Sequence, residues 1–164
     1  MTIALYGSIW LALLCFVIGE AGKRRQRLTQ IPERWTLAVW GLGAALACAH
    51  TLLALHVTYD WDHARAVAVS AERAATMYGI AWQGSLFVNY VFLGWWLTEF
   101  LWWWRAPQSY IRRPAVIEWL WRLVAFIILV NGAVVFASPA GRLAGAPLIL
   151  ALALIWWQDR RSHR

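Results

Sequence analysis

Long apolar runs alternate with short polar connections along the chain. A helix needs about 20 apolar residues, at about 1.5 Å each, to cross a hydrocarbon layer of about 30 Å. Five segments approach or meet that length, so the pattern predicts five membrane-spanning helices. They cover residues 2–19, 35–59, 77–104, 114–138 and 143–158. The chain is predicted to be all-α, a polytopic bundle forming a single membrane domain over residues 1–164.

The connection between the second and third predicted spans, Asp60 to Thr76, is the only sizeable one on its side. An Ala-rich stretch follows Asp62, whose carboxylate can accept hydrogen bonds from the first backbone N–H groups of a helix. This predicts a short interfacial helix on the outer surface. The second span carries the small-residue pairs Gly41/Ala45 and Gly43/Ala47, which favour close helix packing at the centre of the bundle.

Lys and Arg are distributed unequally between the two predicted sides. Cytoplasmic loops retain positive charge, so the N-terminus is predicted outside and the C-terminus in the cytoplasm of a bacterial-type inner membrane. The outer side has three basic residues, Arg65, Arg73 and Arg142. The inner side has twelve: Lys23, Arg24, Arg25, Arg27, Arg34, Arg105, Arg112, Arg113, Arg122, Arg160, Arg161 and Arg164. Many tryptophans also fall at the inner ends of spans, where indoles prefer the headgroup boundary.

Composition agrees with a membrane protein, because 62% of residues are hydrophobic, 14% are charged and 14 are Trp. The net charge of +7 does not indicate nucleic-acid binding, since the basic residues flank apolar spans and form no face of their own. The expected partner is the lipid bilayer. Because five short helices make a thin bundle, a homo-oligomer or a larger membrane complex is also expected.

Three polar residues lie at one predicted depth, about 12–15 Å below the outer surface, on three different spans. They are His50, Asn89 and Asn131. An unpartnered polar group in hydrocarbon is costly, so the three are predicted to find one another or water. The alternatives are a hydrogen-bonded clasp between helices, the floor of a ligand or proton site, and unrelated local bonds.

A candidate metal site lies near the outer end of the second span. If the helix continues, His56, Asp60 and His63 stand at i, i+4 and i+7 and share one face, with Glu72 or water completing the shell. Two imidazoles and a carboxylate suit a divalent transition metal ion. The alternatives are solvated or capping residues, or a proton relay. Haem b is not expected within a monomer, because the other four spans contain no His to supply a second axial ligand.

Three charged residues lie near the inner ends of the spans. Glu99 is interpreted as an interfacial carboxylate directed toward Arg105 or the first loop, with an inner gate or proton site as the alternative. Glu118 and Arg122, at i and i+4, are predicted to form an ion pair at headgroup level.

No Walker-type loop, GxSxG, GxGxxG or HExxH motif occurs, so the sequence supports none of the corresponding chemistries. Catalytic and cofactor-binding residues stay unassigned, and the sequence does not decide whether the protein is an enzyme. The favoured hypothesis is metal-ion binding or metal-assisted redox chemistry at the outer face. The rivals are a non-catalytic accessory subunit of a membrane complex and a small transporter or proton conductor.

Overall fold

The computed structural model describes residues 2–161, which are helical with no strand. Arg164, one of the twelve basic residues counted above, lies outside them. The helices are α1 (Thr2–Thr29), α2 (Arg34–Val57), α3 (His63–Tyr78), α4 (Ser85–Arg105), α5 (Pro107–Ile111), α6 (Ala115–Val130) and α7 (Pro139–Arg161). A π-helical turn, Asn131–Val135, extends α6. The five predicted spans correspond to α1, α2, α4, α6 and α7.

Four helical segments are long and apolar enough to cross a membrane, and they confirm the prediction of an all-helical protein with several spans. They are Ile3–Thr29, Arg34–Val57, Ala115–Val135 and Pro139–Asp159. The helix α4 is not among them, although its 21 residues suffice for about 30 Å. Its tryptophans, Asn89 and Glu99 lower its mean hydropathy, and several of these side chains lie inside the bundle.

Several helix ends differ from the predicted span boundaries. The first helix continues past residue 19 to Thr29, and Glu20, Lys23 and Arg27 of this continuation form ion pairs within the protein. The third span does not begin at residue 77, because α3 ends at Tyr78 and α4 begins at Ser85. Gly79, at a φ of 74°, terminates α3 with a left-handed cap. The predicted helix after Asp62 is present as α3, and the Asp62 carboxylate accepts from the Arg65 backbone N–H at 2.9 Å.

The small residues of α2 allow two neighbouring helices to approach closely, as the sequence predicted. A Cβ added to Gly43 would lie 2.9 Å from the indole of Trp96 on α4. At the interface between α1 and α2, a Cβ added to Gly19 of α1 would lie 2.5 Å from the indole of Trp40 on α2. The helix α2 therefore lies between α1 and α4, where a larger side chain at either glycine would force the helices apart.

Five aromatic rings fill the middle of the bundle and are called here the aromatic layer: Phe16, Trp40, Phe92, Trp96 and Trp121. All five side chains are buried. The ring centroid of Phe16 lies 5.0 Å from the ring centroids of both Trp40 and Trp96. The ring of Phe92 stacks on that of Trp121, with centroids 5.4 Å apart. Because the rings come from four helices, this layer separates the polar groups at the two ends of the bundle.

Candidate functional site

Charged side chains that are at most 13% exposed meet at the end of the bundle formed by the C-terminal parts of α1, α4 and α7 and the start of α6. They are called here the ion-pair network, and this end the network end. Four are acidic and four basic: Glu20, Glu99, Glu118, Asp159, Lys23, Arg27, Arg113 and Arg122.

The deepest part of the network is on α1. Glu20 is 0% exposed and Lys23 1% exposed, and Lys23 Nζ donates to Glu20 Oε1 at 2.8 Å. The ammonium also lies 3.2 Å from the ring centroid of Trp40, in a cation–π contact. Trp156 of α7 donates through Nε1 to Glu20 Oε2 at 2.8 Å. The network thus begins directly against the aromatic layer.

Glu118 joins α6 to α1 and to the loop that precedes α6. Its carboxylate accepts from Arg27 Nη1 at 3.0 Å, from Arg122 Nε at 2.8 Å and from Arg113 Nε at 2.6 Å. The predicted ion pair with Arg122 is therefore confirmed, but it is buried within a larger group. Asp159 of α7 accepts from Arg27 Nη2 at 2.9 Å and from Arg122. Two arginines thus connect three helices through two carboxylates.

The connection between α4 and α6 folds back across the network. Tyr110 of α5 donates its hydroxyl to Glu99 Oε2 at 2.5 Å, and Arg113 Nη1 donates to the same oxygen at 2.6 Å. The Tyr110 ring stacks on Trp103, with centroids 4.8 Å apart, and the Arg113 guanidinium lies 4.2 Å from the Tyr110 centroid. The segment 106–114 therefore closes the network on the side of α4.

Burial and the nearby carboxylates determine the ionisation of this connection, which lies outside the spans. Burial raises the pKa of Tyr110 well above 10.0, and the charges of Glu99 and Glu118 reinforce it against the opposing charge of Arg113. Burial disfavours the charged form of Arg113, but Tyr110, Glu118 and Glu99 outweigh it, so its pKa lies above the usual arginine value. Tyr110 therefore stays a neutral hydrogen-bond donor and Arg113 stays charged.

The network carries no net charge when its eight groups are ionised, because its four acidic and four basic side chains balance. A buried unpaired charge costs several kcal/mol or more, whereas a well-paired set roughly offsets its desolvation. A cavity of about 10 Å³ beside Lys23 and Tyr110 has room for about one water molecule. The network is therefore a neutral layer whose side chains are largely withdrawn from water.

Glu99 does not turn toward Arg105, the first of the two partners predicted for it. Its carboxylate points into the bundle, where Lys23 Nζ lies at 3.4 Å beside the contacts from Tyr110 and Arg113. Lys23 belongs to the segment predicted to be the first loop, so that part of the interpretation is confirmed. Glu99 is buried because the long α1 brings a cation to its depth.

The three polar residues predicted to form a clasp use other partners. His50 Nδ1 donates to the Leu5 carbonyl oxygen at 2.9 Å, since α2 packs mainly against α1. Asn131 accepts from the Tyr78 hydroxyl and donates to the Ile127 carbonyl oxygen at 2.7 Å. Asn89 is exposed. Within residues 2–161 no hydrogen bond joins any two of the three, so the direct clasp is not present, and a water-bridged cluster stays a prediction.

The helix on which the predicted metal site depended does not continue. The helix α2 ends at Val57, and Asp60 and Trp61 take φ values of 50° and 61° in the turn before α3. His56 packs near Trp61, with ring centroids 5.9 Å apart. His63 instead starts α3 and stacks on Tyr90 at 5.8 Å. Among the described residues no group of three His, Cys, Asp or Glu is placed to hold a metal ion, so the site with Glu72 stays a prediction without structural support.

Sequence reasoning missed most of the network. The predicted first span ends at residue 19 and leaves Glu20, Lys23 and Arg27 outside it, although their i, i+3, i+7 spacing places them on one helix face. The acidic residues of the sequence are a second signal for the network. Besides Glu33, four of the chain's acidic residues accompany the twelve basic ones on the predicted inner side: Glu20, Glu99, Glu118 and Asp159. These four carboxylates lie near the ends of four predicted spans, where an unpaired charge is costly, so they indicate cationic partners.

Comparison with protein-family models, with curated proteins and with solved structures finds no match to this chain. A function therefore rests on the chemistry of its own residues. Ionisable side chains inside a membrane bundle are costly to keep, so they are candidate functional residues by default. The ion-pair network is therefore the candidate site of this chain.

Proposed function

We propose that this chain is a five-span protein of a cytoplasmic membrane that passes protons, with the ion-pair network as its gate at the cytoplasmic end. In this proposal α4 is the fifth span, α3 lies on the outer surface, and the N-terminus is outside. The length of α4 and the concentration of basic residues at the network end support this arrangement.

The observation that carries the proposal is the position of Glu99. It lies 2% exposed inside the bundle, yet its carboxylate contacts Tyr110 and Arg113 of a connection that closes the network from outside. A displacement of this short connection would remove two of its hydrogen bonds and admit water to Lys23 and Glu99. Carboxylates reached by water in this way are the groups that exchange protons in membrane proteins.

The aromatic layer is the second barrier of the proposed path. Along α1, Ser8, beside His50, and Glu20 are separated by about 18 Å, and buried apolar side chains such as Phe16 lie between them. Protons need ordered water or polar groups to cross such a distance. In this proposal the structure represents a closed state, in which the network and the aromatic layer both restrict the entry of water.

The test is proton flux into liposomes that contain the purified protein and a trapped pH-sensitive dye, under a potassium diffusion potential. We expect wild type to exceed protein-free liposomes, and Arg113→Gln to raise the flux several-fold because it removes a cationic partner from both Glu99 and Glu118. Tyr110→Phe removes one hydroxyl and should give a smaller rise. Arg142→Gln is the matched control, since Arg142 donates only to backbone carbonyl oxygens at the opposite end.

Equal flux from wild type, both network variants and protein-free liposomes, with correct folding and insertion, would contradict the gate. The non-catalytic accessory subunit would then be the better hypothesis, and the network would serve only to hold the helices in register. The metal-binding function stays a prediction. Its residues His56, Asp60 and His63 lie on two helices and the turn between them, not on the single helix face that the prediction assumed.

A further inference from the structure

The net charge of the side chains that the structure describes lies at one end of the bundle. At the opposite end the three basic residues are balanced by Asp60, Asp62 and Glu72. At the network end the four cations of the network are balanced within it, and Arg25 pairs with Glu33 at 2.9 Å. Among the side chains that the structure describes, four arginines at this end belong neither to the network nor to that pair: Arg24, Arg34, Arg105 and Arg112.

Three of these arginines have exposed side chains at the network end: Arg34, Arg105 and Arg112. None of the three forms an ion pair with a carboxylate in residues 2–161. Arg34 begins α2, Arg105 ends α4, and Arg112 follows α5, so they come from three separate elements. Their charge is available to a partner outside the chain.

Exposed tryptophans lie directly beside two of these arginines. Trp35 follows Arg34 and is 46% exposed, and Trp104 precedes Arg105 and is 61% exposed. An exposed indole favours the boundary between acyl chains and headgroups, and an adjacent guanidinium then lies at the depth of the lipid phosphates. Guanidinium also binds phosphate through two parallel hydrogen bonds, which lysine cannot do.

From the confined charge and these Trp–Arg pairs we infer that the network end binds the headgroups of anionic phospholipids. The arginines Arg34, Arg105 and Arg112 supply the phosphate contacts, and Trp35 and Trp104 contact the glycerol and upper acyl region. Each basic residue near an anionic leaflet contributes an attraction that salt screens. This surface lies outside the network, so the proposal is independent of the proposed gate.

The test is the quenching of tryptophan fluorescence by brominated phosphatidylglycerol, compared with brominated phosphatidylcholine, in bilayers containing the full chain. We expect wild type to favour phosphatidylglycerol. The double variant Arg105→Gln/Arg112→Gln should lower that preference by about tenfold or remove it. The matched control is Arg65→Gln/Arg73→Gln, which removes the same charge at the neutral opposite end and should leave the preference unchanged.

Two further conditions of the quenching experiment distinguish a lipid phosphate from free inorganic phosphate. Salt at 0.5 M should weaken the preference, because it screens the exposed arginines. Inorganic phosphate at millimolar concentration should not abolish it, because the indole contacts require a lipid. Equal quenching by the two lipids, equal losses in the two double variants, or full displacement by inorganic phosphate would each overturn the inference.

Discussion

The two ends of this bundle use polar side chains in different ways. At the network end, eight charged groups, each with a side chain at most 13% exposed, are paired across four helices and a connecting loop. At the opposite end, the charged residues Asp60, Asp62, Arg65, Glu72, Arg73 and Arg142 are exposed. The helix contacts there are neutral, such as those of His50 with Leu5 and of Tyr78 with Asn131.

The difference follows from the free energy of burying a charge. A helix end that reaches water can leave its charges solvated and use neutral hydrogen bonds, each of which contributes about 0.6–2 kcal/mol. A helix end that carries charges into the bundle must pair every one of them, since a single unpaired ion costs several kcal/mol. The network end is therefore expected to be rigid and intolerant of change. The opposite end, with its π-helical turn and left-handed turn residues, is expected to be tolerant.

The largest expected effect is at Glu118. Glu118→Gln removes the shared partner of Arg27, Arg113 and Arg122 and leaves buried positive charge, so the free energy of unfolding should fall by about 3–5 kcal/mol. Reversible unfolding in mixed micelles measures it. Glu33→Gln is the control and should cost about 1 kcal/mol or less, because its partner Arg25 is 67% exposed. Similar losses in the two variants would show that an ion pair inside the network is no stronger than an exposed one at the same end.

The ion pair of Lys23 and Glu99 tests whether charges on two different helices of the network stabilise each other. Lys23→Met and Glu99→Gln should each destabilise the protein, and the double variant should lose less than the sum of the two. The coupling free energy should be about 1–3 kcal/mol, because the two buried side chains are in direct contact. A double-mutant cycle of unfolding free energies gives this value, and strict additivity would argue against direct coupling.

Tyr110 makes the stability of the network end depend on alkaline pH. Burial raises its folded-state pKa well above 10.0, so its contribution is complete below about pH 10 and is lost as pH rises further. Tyr110→Phe should lack this alkaline loss. Phenolate absorbance of the folded proteins at pH 11 should be the same in wild type and variant, whereas after denaturation wild type should show one additional phenolate. Ionisation of Tyr110 in the folded protein at pH 11 would show that the hydroxyl is accessible to water.

The smallest expected effects are at the opposite end. Tyr78→Phe removes the hydroxyl that Asn131 accepts from, and His50→Leu removes the donor to Leu5. Each should lower the free energy of unfolding by about 1 kcal/mol, within the range of single hydrogen bonds between membrane helices. The two losses should add, because the variants share no partner. A loss as large as that of Glu118→Gln would show that this end is also held by polar contacts.

The local interactions of this protein could be predicted from its sequence. The Asp62 cap depends on residues three apart, and the Glu118–Arg122 pair on residues four apart, so backbone periodicity alone brings them together. The apolar runs likewise predicted membrane-length helices, because bilayer thickness dictates their length. The sequence also predicted an excess of basic residues on one side.

Only the tertiary structure decided which charges meet. Trp156 and Glu20 are 136 residues apart, and Arg27 and Asp159 are 132 apart, so their contacts depend on how α1 and α7 are rotated and how far each extends. The same limit explains the metal prediction, which assumed a straight helix through Asp60, where the backbone turns. Periodicity determines which face of a helix a side chain occupies, but its partner is determined by the packing of whole helices against one another.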